Sequence, residues 1–285
     1  MLTFSNSSNR CWFISAIQAV LHIPPLANLL RDDMMNKIVV RKRKNSSDFA
    51  MELSRIAREY WHTFTYEKTV DLDALFDIFV KINRNFGGKK PYDAAEAFLA
   101  ILDTLDTAFI SKPPQCLHLE CNVDAWNEHV DKTKSSFLSD AIMGQVRRVY
   151  KGDVAYEHFW GITVRKHSVS SGIEDYLNDQ DTGITRTFTH LPLILPIIFQ
   201  KSADKHFIHY DLDMAFGGAC YSLFAVLLHN SSHWVAMCAN AGVWHLLDDT
   251  RCSTIFDMNT LIQKDAMLLL YKQVEPNLQT KQSSA

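Results

Sequence analysis

Apolar residues recur at helical spacing in the first third of the chain. The segment CWFISAIQAVLH runs from Cys11 to His22 between a Ser- and Asn-rich stretch and two prolines, so it predicts a helix that starts at or near Cys11. The same spacing predicts further helices over about 47–64 and 72–82. A fourth helix is predicted over 91–105, where a proline stands at the entry and the apolar residues share one stripe.

Beyond about residue 137 the pattern changes to short alternating or continuously apolar runs, which predict β-strands. The segment ANAGV separates two of these runs and predicts a hairpin turn. His233 lies on the first strand of that hairpin and Asp248 at the end of the second. We therefore expect these two side chains to lie on adjacent strands, close enough to interact.

This order of elements indicates an α+β protein with two lobes and a cleft between them. The helical lobe covers about 1–110 and the β-rich lobe about 137–276, while the polar segment NLQTKQSSA at 277–285 is expected to be disordered. Because 47% of its 285 residues are hydrophobic, the chain can bury a substantial core, which excludes a disordered protein.

The charge balance excludes a protein whose main task is electrostatic binding. Lys and Arg total 29 against 32 Asp and Glu, so we expect no binding to nucleic acid or membrane. The longest apolar run, at 191–199, contains two prolines and is too short to span a bilayer, and the first residues show no secretion signal. We expect a cytoplasmic protein. The run RKRK at 41–44 could add nuclear import, although a solvated loop is the favoured interpretation.

The predicted elements place one cysteine where thiol chemistry is possible. The six cysteines are thinly spread, so we interpret them as reduced. Cys11 begins the first predicted helix, where free backbone N–H groups and the helix dipole favour the nucleophilic thiolate. His233 could accept the thiol proton, and Asp248 could orient the imidazole. A buried cysteine is more often an ordinary core residue, so this arrangement needs further support.

Three segments of the chain provide that support, because they resemble the ubiquitin-specific protease family of cysteine deubiquitinases. NSSNRCWFISAIQAVLHIPPL, from Asn6, resembles the family's Cys box, and SHWVAMCANAGVWHLLDDTRCSTI, from Ser232, resembles its His box. PYDAAEAFLAILDTL, from Pro91, resembles its Gln-Asp-Ala-x-Glu-Phe helix. The resemblance implies a papain-like α+β fold over 1–276, in which a helical thumb packs against a β-rich palm with β fingers.

The resemblance also implies a reaction and the residues that perform it. Cys11 would be the nucleophile, His233 the base, Asp248 the third member of the triad and Asn6 a donor to the oxyanion. The implied enzyme is a thiol-dependent deubiquitinase that hydrolyses the peptide or isopeptide bond after the C-terminal Gly of ubiquitin. Such chemistry implies no cofactor.

The resemblance also implies that three carboxylates bind the substrate. Asp93 and Glu96 match residues that grip the arginines in the extended C-terminal tail of ubiquitin, and carboxylates can make forked hydrogen bonds to guanidinium groups. Asp249 matches the second Asp of the His box, which assists nearby. The implied partners are ubiquitin and ubiquitinated proteins, with the enzyme itself expected to be a monomer.

Two other functions stay open. Ser8 and Ser232 stand where the family has glycines, so the same chemistry could act on another ubiquitin-like modifier. An inactive ubiquitin-binding module would keep the fold without turnover, although the intact triad and oxyanion donor argue against it.

The expected fingers differ from those of many family members, which hold a structural zinc through two Cys-x-x-Cys pairs. This chain has neither pair. Its only cluster is Cys116, His118 and Cys121, whose spacing does not match a zinc knuckle. We therefore expect no metal site and zinc-free fingers held together by packing.

Overall fold

The first half of the described chain is helical. The computed structural model describes residues 3–6, 8–31, 35–40, 43–62, 69–88, 90–109, 137–165, 168–200 and 209–275. The α-helices within these ranges are α1 (Cys11–Leu21), α2 (Pro24–Arg31), α3 (Met35–Ile38), α4 (Lys44–His62), α5 (Asp73–Ile82), α6 (Ala94–Ala108), α7 (Phe137–Ile142) and α8 (Val169–Leu177). Short 3-10 helices cover Arg84–Phe86 and Met258–Leu261.

The second half is built mainly from strands. The strands are β1 (Thr3–Phe4), β2 (Thr69–Val70), β3 (Gly144–Tyr150), β4 (Asp153–Phe159), β5 (Ile162–Val164), β6 (Asn178–Asp179), β7 (Ile184–His190), β8 (Ile194–Phe199), β9 (Asp213–Phe216), β10 (Ala219–Asn230), β11 (His233–Asn240), β12 (Val243–Asp248), β13 (Arg251–Ile255) and β14 (Ala266–Val274). Eight of them form the main sheet in the order β13-β12-β11-β10-β14-β8-β5, with β9 also paired to β10. The sheet β4-β3-β7-β6 has four strands, and β1 pairs with β2.

The predicted helices and strands are confirmed, with differences at their ends. α1 starts at Cys11 as expected, but the prolines that follow it open α2 rather than a loop. A proline in the first turn of a helix loses no hydrogen bond, because its N–H would have no partner there. α6 starts three residues later than predicted, since Asp93 caps it. α8 is an addition that the sequence analysis missed.

Each central strand of the main sheet contributes to two separate cores. Ala225 and Leu227 of β10 pack among the helices, whereas Val226 and Leu228 belong to a second cluster on the opposite face. The alternation follows from the two-residue repeat of a strand. The residues of these central strands are apolar in succession because both faces of the sheet are covered.

The helical face of the sheet is closed by a dense aromatic cluster around α1. All of α1 is buried, and it packs between α6 and strands β10, β11 and β12. Trp12 stacks on Phe86 at 5.5 Å between ring centroids and meets Tyr92 edge-on at 5.0 Å. Burial of this much aromatic surface fixes the start of α1 firmly against the sheet.

On the opposite face, α8 packs against β5 at one edge of the main sheet. Ser168 caps this helix by accepting a hydrogen bond from the backbone N–H of Ser171. Val169 and Ile173 pack into the second core cluster. Gly172 allows the close approach, because a Cβ at this position would lie 2.5 Å from the Cβ of Val164.

The four-stranded sheet supplies the strands predicted for the fingers. Glu157 on β4 accepts from Arg148 at 2.6 Å and lies 3.5 Å from Arg186, so one carboxylate joins β3, β4 and β7. Phe188 packs against Phe159 and Tyr176 at 5.9 and 6.3 Å between ring centroids. Aromatic rings therefore contribute to the packing of this sheet.

Several expectations concern residues outside the described ranges. These are the cluster of Cys116, His118 and Cys121, the start of the RKRK run at 41–42, and the C-terminal segment 277–285. In the described parts of the chain, no single helix has both the length and the apolar content needed to cross a membrane. Among the described helices, α1 and α2 taken together meet both requirements, and they are bent by 89° at the break between them.

Candidate active site

The predicted hairpin of β11 and β12 brings a histidine and a carboxylate together. Ala236 pairs with Leu247 across the two antiparallel strands, so His233 and Asp248 both lie at the end of the hairpin opposite its turn. The turn uses Ala241 and Gly242 at positive φ, the conformation that suits a two-residue hairpin loop. His233 Nε2 lies 2.7 Å from Asp248 Oδ1, a short charge-assisted hydrogen bond.

The thiol of Cys11 lies against the start of the same hairpin. Cys11 is the first residue of α1 and is 6% exposed. The backbone N–H of Trp234, the residue after His233, is directed at the Cys11 thiol and stabilises its thiolate form. The structure therefore brings the predicted nucleophile, base and orienting carboxylate together, where the helical face of the sheet meets the strand ends.

Burial changes one expectation about this cysteine. The start of α1 was expected to favour the thiolate, and the backbone N–H groups of Cys11 and Trp12 do act in that direction. Burial nevertheless raises the pKa of Cys11 above its ordinary value, and the nearby carboxylate of Asp249 raises it further. The raised pKa disfavours the thiolate, so the attack requires a base that takes the thiol proton.

The geometry of His233 suits that task. Because Nε2 is bonded to Asp248, the hydrogen bond fixes the tautomer and leaves Nδ1 as the nitrogen that can accept a proton. The side chains of His233 and Asp248 are 42% and 36% exposed, so the imidazole is open to a substrate. His229 stacks on the ring of Trp234 at 4.4 Å between centroids.

Asn6 is held rigidly beside the cysteine by two hydrogen bonds. Its Oδ1 accepts from the backbone N–H of Arg10 at 2.8 Å, and its Nδ2 donates to Asp249 Oδ2 at 2.8 Å. These partners distinguish the two ends of the amide. An amide nitrogen carries two hydrogens, so one N–H of Asn6 is left to donate to another acceptor.

Asp249 lies inside this cluster. Its side chain is 18% exposed and its Oδ2 lies 3.9 Å from His233 Nε2, while its backbone carbonyl accepts from the N–H of Phe4 at 3.0 Å. Burial raises the pKa of Asp249, against the opposing effects of the Asn6 hydrogen bond and of His233. Its place in substrate binding stays a prediction; its observed contacts are with Asn6 and His233.

Asp93 and Glu96 lie at the start of α6, which packs against α1. Asp93 Oδ1 accepts from the backbone N–H of Ala95 at 2.7 Å and of Glu96 at 3.2 Å, so this carboxylate is the helix N-cap. The Glu96 side chain is exposed. The predicted role of both in holding a substrate stays a prediction, and the capping of α6 is an additional role of Asp93.

Three potential metal ligands lie close together in the described part of the chain. The one group of three potential ligands there is His233, Asp248 and Asp249, whose ligand atoms lie within 4.8 Å of one another. Hydrogen bonds between His233 and Asp248, and between Asp249 and Asn6, already use atoms of all three.

Comparison with known proteins identifies the family. The family model described as ubiquitin carboxyl-terminal hydrolase matches residues 3–271. The chain belongs to that family. It is therefore a cysteine-type ubiquitin hydrolase, a deubiquitinase whose partner is ubiquitin. A comparison with curated protein sequences found no significant match.

Solved structures show the same fold for this deubiquitinase. The SAGA DUB module of Ubp8, Sgf11, Sus1 and Sgf73 bound to monoubiquitin has a TM-score of 0.75 at 14% identity, covering 97% of this chain and 70% of that one. The same module bound to ubiquitin aldehyde has a TM-score of 0.74 at 14% identity, with the same coverage. An essential yeast splicing factor has a TM-score of 0.69 at 13% identity, covering 96% and 69%. At such identities the likeness establishes the fold, and the papain-like α+β prediction is confirmed.

The sequence analysis missed two contacts that shape the site of this hydrolase. Arg10 forms an ion pair with Asp73 at 2.5 Å and stacks on Phe76 with its guanidinium carbon 3.9 Å from the ring centroid. The N-terminal segment is tied to the catalytic hairpin through Phe4 and Asp249. Neither contact has a signal in the sequence, because each joins residues far apart in the chain.

Proposed function

We propose that this deubiquitinase acts through Cys11, His233 and Asp248. The observation that carries the proposal is the 2.7 Å hydrogen bond between His233 and Asp248 beside the Cys11 thiol. His233 takes the thiol proton and the thiolate attacks the carbonyl after the C-terminal Gly of ubiquitin. The C–N bond then breaks and the leaving amine takes the proton back from the imidazolium. Water, activated by the same imidazole, hydrolyses the thioester.

Asn6 and the backbone N–H of Cys11 stabilise the oxyanion in this proposal. The tethered amide of Asn6 has one N–H remaining, and this N–H is proposed to donate to the oxyanion. A preorganised donor of this kind contributes about 3 kcal/mol to the transition state. Asp249 positions the donor, because its carboxylate holds the other N–H.

The tail of ubiquitin is proposed to pass Asp93 and Glu96 at the start of α6. Their carboxylates can pair with the arginines of that tail, and Glu96 is exposed for this purpose. Asp249 is proposed to lie at the same channel. We further propose that residues 1–110 form the thumb and residues 137–276 the palm and fingers. The enzyme is proposed to be a monomer in the cytoplasm that can also enter the nucleus.

Two alternatives rest on specific observations. Ser8 and Ser232 stand at positions where the related sequences have glycines, which favours testing other ubiquitin-like modifiers. The likeness to a splicing factor shows that the fold also occurs in a protein described by another role, which favours testing an inactive binding module.

The test is mass-spectrometric labelling with ubiquitin that carries a C-terminal thiol-reactive group. The purified protein is compared with a Cys11→Ala variant and with probes built on other ubiquitin-like modifiers. We expect an adduct with ubiquitin at Cys11 that is absent in the variant. If only a probe built on another ubiquitin-like modifier labels Cys11, that modifier is the substrate. Folded protein that no probe labels, yet that binds ubiquitin, would support the inactive module.

A further inference from the structure

A groove of about 720 Å³ lies on the face of the main sheet opposite the helices. His233, Asp248 and Phe256 are among the residues that line it. Its floor includes Leu228 and Met237, which belong to the core cluster on that face. The groove is thus continuous with the catalytic pair but lies on the other side of the sheet from α1.

The lining of this groove combines apolar surface with acidic groups. Phe256 is 91% exposed, an unusual state for a phenylalanine next to an apolar floor. Asp257 and Asp265 stand among the lining residues together with the catalytic Asp248. Among the described residues that line the groove there is no lysine or arginine. Such a surface complements a chain segment with apolar and positively charged side chains.

Reaction chemistry places the leaving group on this side of the site. In the proposed mechanism the imidazole of His233 returns a proton to the leaving amine, so that amine must contact His233. The tail of ubiquitin is proposed to pass the start of α6, which packs against α1 on the helical side. The groove beside His233, on the opposite face of the sheet, is therefore available to the substrate protein that carries the leaving lysine.

We infer that the groove binds the segment of the protein substrate that carries the modified lysine, and that it selects segments with basic and apolar flanking residues. The inference rests on the proposed deubiquitination and adds a substrate preference to it. Phe256 contacts the apolar flank, and Asp257 and Asp265 pair with the basic flank. The exposed cations Arg251 and Lys264 lie near the groove in sequence but outside its lining.

The kinetic test uses two kinds of leaving group on ubiquitin. One substrate carries a C-terminal aminocoumarin, and the other is joined by an isopeptide bond to the central lysine of a peptide with Arg and Leu flanks. Phe256→Ala is expected to lower kcat/KM for the peptide conjugate about fivefold, as for a central contact residue in an interface, with the aminocoumarin value changed less than twofold. The double variant Asp257→Asn/Asp265→Asn should lower kcat/KM for the peptide conjugate several-fold. This loss should be smaller at high salt, because salt screens the charges.

The variants are chosen to keep the fold intact. Asp257 Oδ1 accepts from the backbone N–H of Asn259 at 2.9 Å, and asparagine can accept the same hydrogen bond. Asp153→Asn, on the exposed edge of the four-stranded sheet, is the matched control for loss of one charge. An equal fall for both substrates, no change for either, or equal cleavage of a conjugate with Glu and Asp flanks would overturn the inference.

A second measurement does not depend on turnover. The free peptide with Arg and Leu flanks, carrying a benzophenone, is photo-crosslinked to the Cys11→Ala protein and the adduct is mapped by mass spectrometry. We expect crosslinks within residues 254–265. Crosslinks at α6, or scattered ones, would reject the groove even if deubiquitination is established. If the peptide crosslinks to the groove but the ubiquitin probe does not label the protein, the groove is supported and only the proposed deubiquitination is rejected.

Discussion

The two faces of the main sheet differ in how completely they are covered. On the helical face, α1 lies entirely buried between α6 and the strands, and Cys11 is 6% exposed. On the other face, α8 covers only the β5 edge of the sheet, and the region near His233 is an open groove with Phe256 91% exposed. The same strands form both faces, since alternate residues point to opposite sides.

This difference separates two requirements of the reaction. The nucleophile must be held in a fixed position, and the closed aromatic core around Trp12 does this. The base must reach a substrate and pass a proton to a departing group, which requires open space beside His233. Substitutions on the closed and open faces should therefore affect stability and catalysis differently.

The largest effect is expected at the exposed end of the sheet. Asp248→Asn should lower kcat/KM for ubiquitin substrates at least about a thousandfold, because the carboxylate fixes the tautomer of His233 and stabilises its charged form. Because the Asp248 side chain is 36% exposed, the melting temperature should change little. Asp153→Asn, at the exposed edge of the four-stranded sheet, is the matched control. A loss for Asp248→Asn no larger than that for Asp153→Asn would contradict Asp248 as the orienting carboxylate.

The closed and open faces should differ most clearly in stability. Phe98→Ala on α6 removes a fully buried ring and should lower the free energy of unfolding by about 3–5 kcal/mol. Phe256→Ala should change it by less than about 0.5 kcal/mol, because that ring is exposed. Urea unfolding followed by circular dichroism measures both. Comparable losses at the two positions would show that the groove is part of the core.

The donor on the helical side should affect the chemical step specifically. Asn6→Ala should lower kcat about a hundredfold or more with little change in KM, because the lost N–H acts on the oxyanion of the transition state. Labelling of Cys11 by a small alkylating agent should continue in this variant. A fall confined to KM would place Asn6 in substrate binding and contradict the assignment.

The two roles of Asp93 can be separated by two substitutions. Asp93→Ala should lose the N-cap and about 1 kcal/mol of stability, whereas Asp93→Asn should keep it, because the amide oxygen can accept from the N–H of Ala95. If the carboxylate also holds the tail of ubiquitin, both variants should raise KM for ubiquitin substrates. A KM that Asp93→Asn leaves unchanged would limit this residue to capping.

The pH dependence of the free thiol gives the smallest and most specific test. Since burial raises the pKa of Cys11, the fraction of thiolate should still be rising above pH 8.5, the approximate pKa of an ordinary cysteine. Alkylation of the free protein by iodoacetamide, mapped to Cys11 by mass spectrometry, should therefore have its midpoint above that value. A midpoint near neutral pH would mean that the thiolate exists before substrate binds.

Much of this architecture could be predicted from local patterns in the sequence. The start of α1 at Cys11 follows from the Ser- and Asn-rich entry and the apolar spacing. The pairing of His233 with Asp248 follows from one hairpin, whose turn residues and alternation are local. α8 was missed because its Ser-rich start and Gly172 are typical of a loop, whereas the Ser168 cap and the packing of Val169 and Ile173 stabilise it as a helix.

The sequence by itself determined the class of fold and predicted Cys11 as the nucleophile and His233 with Asp248 as its partners, since each depends on residues close together in the chain or on short motifs. Tertiary structure alone decided the environment of these residues. Asn6 is joined to Asp249 across 243 positions, and burial against the sheet raises the pKa of Cys11 despite its place at a helix start. Solvation and long-range contacts set such properties, because they depend on what surrounds a side chain and not on its neighbours in sequence.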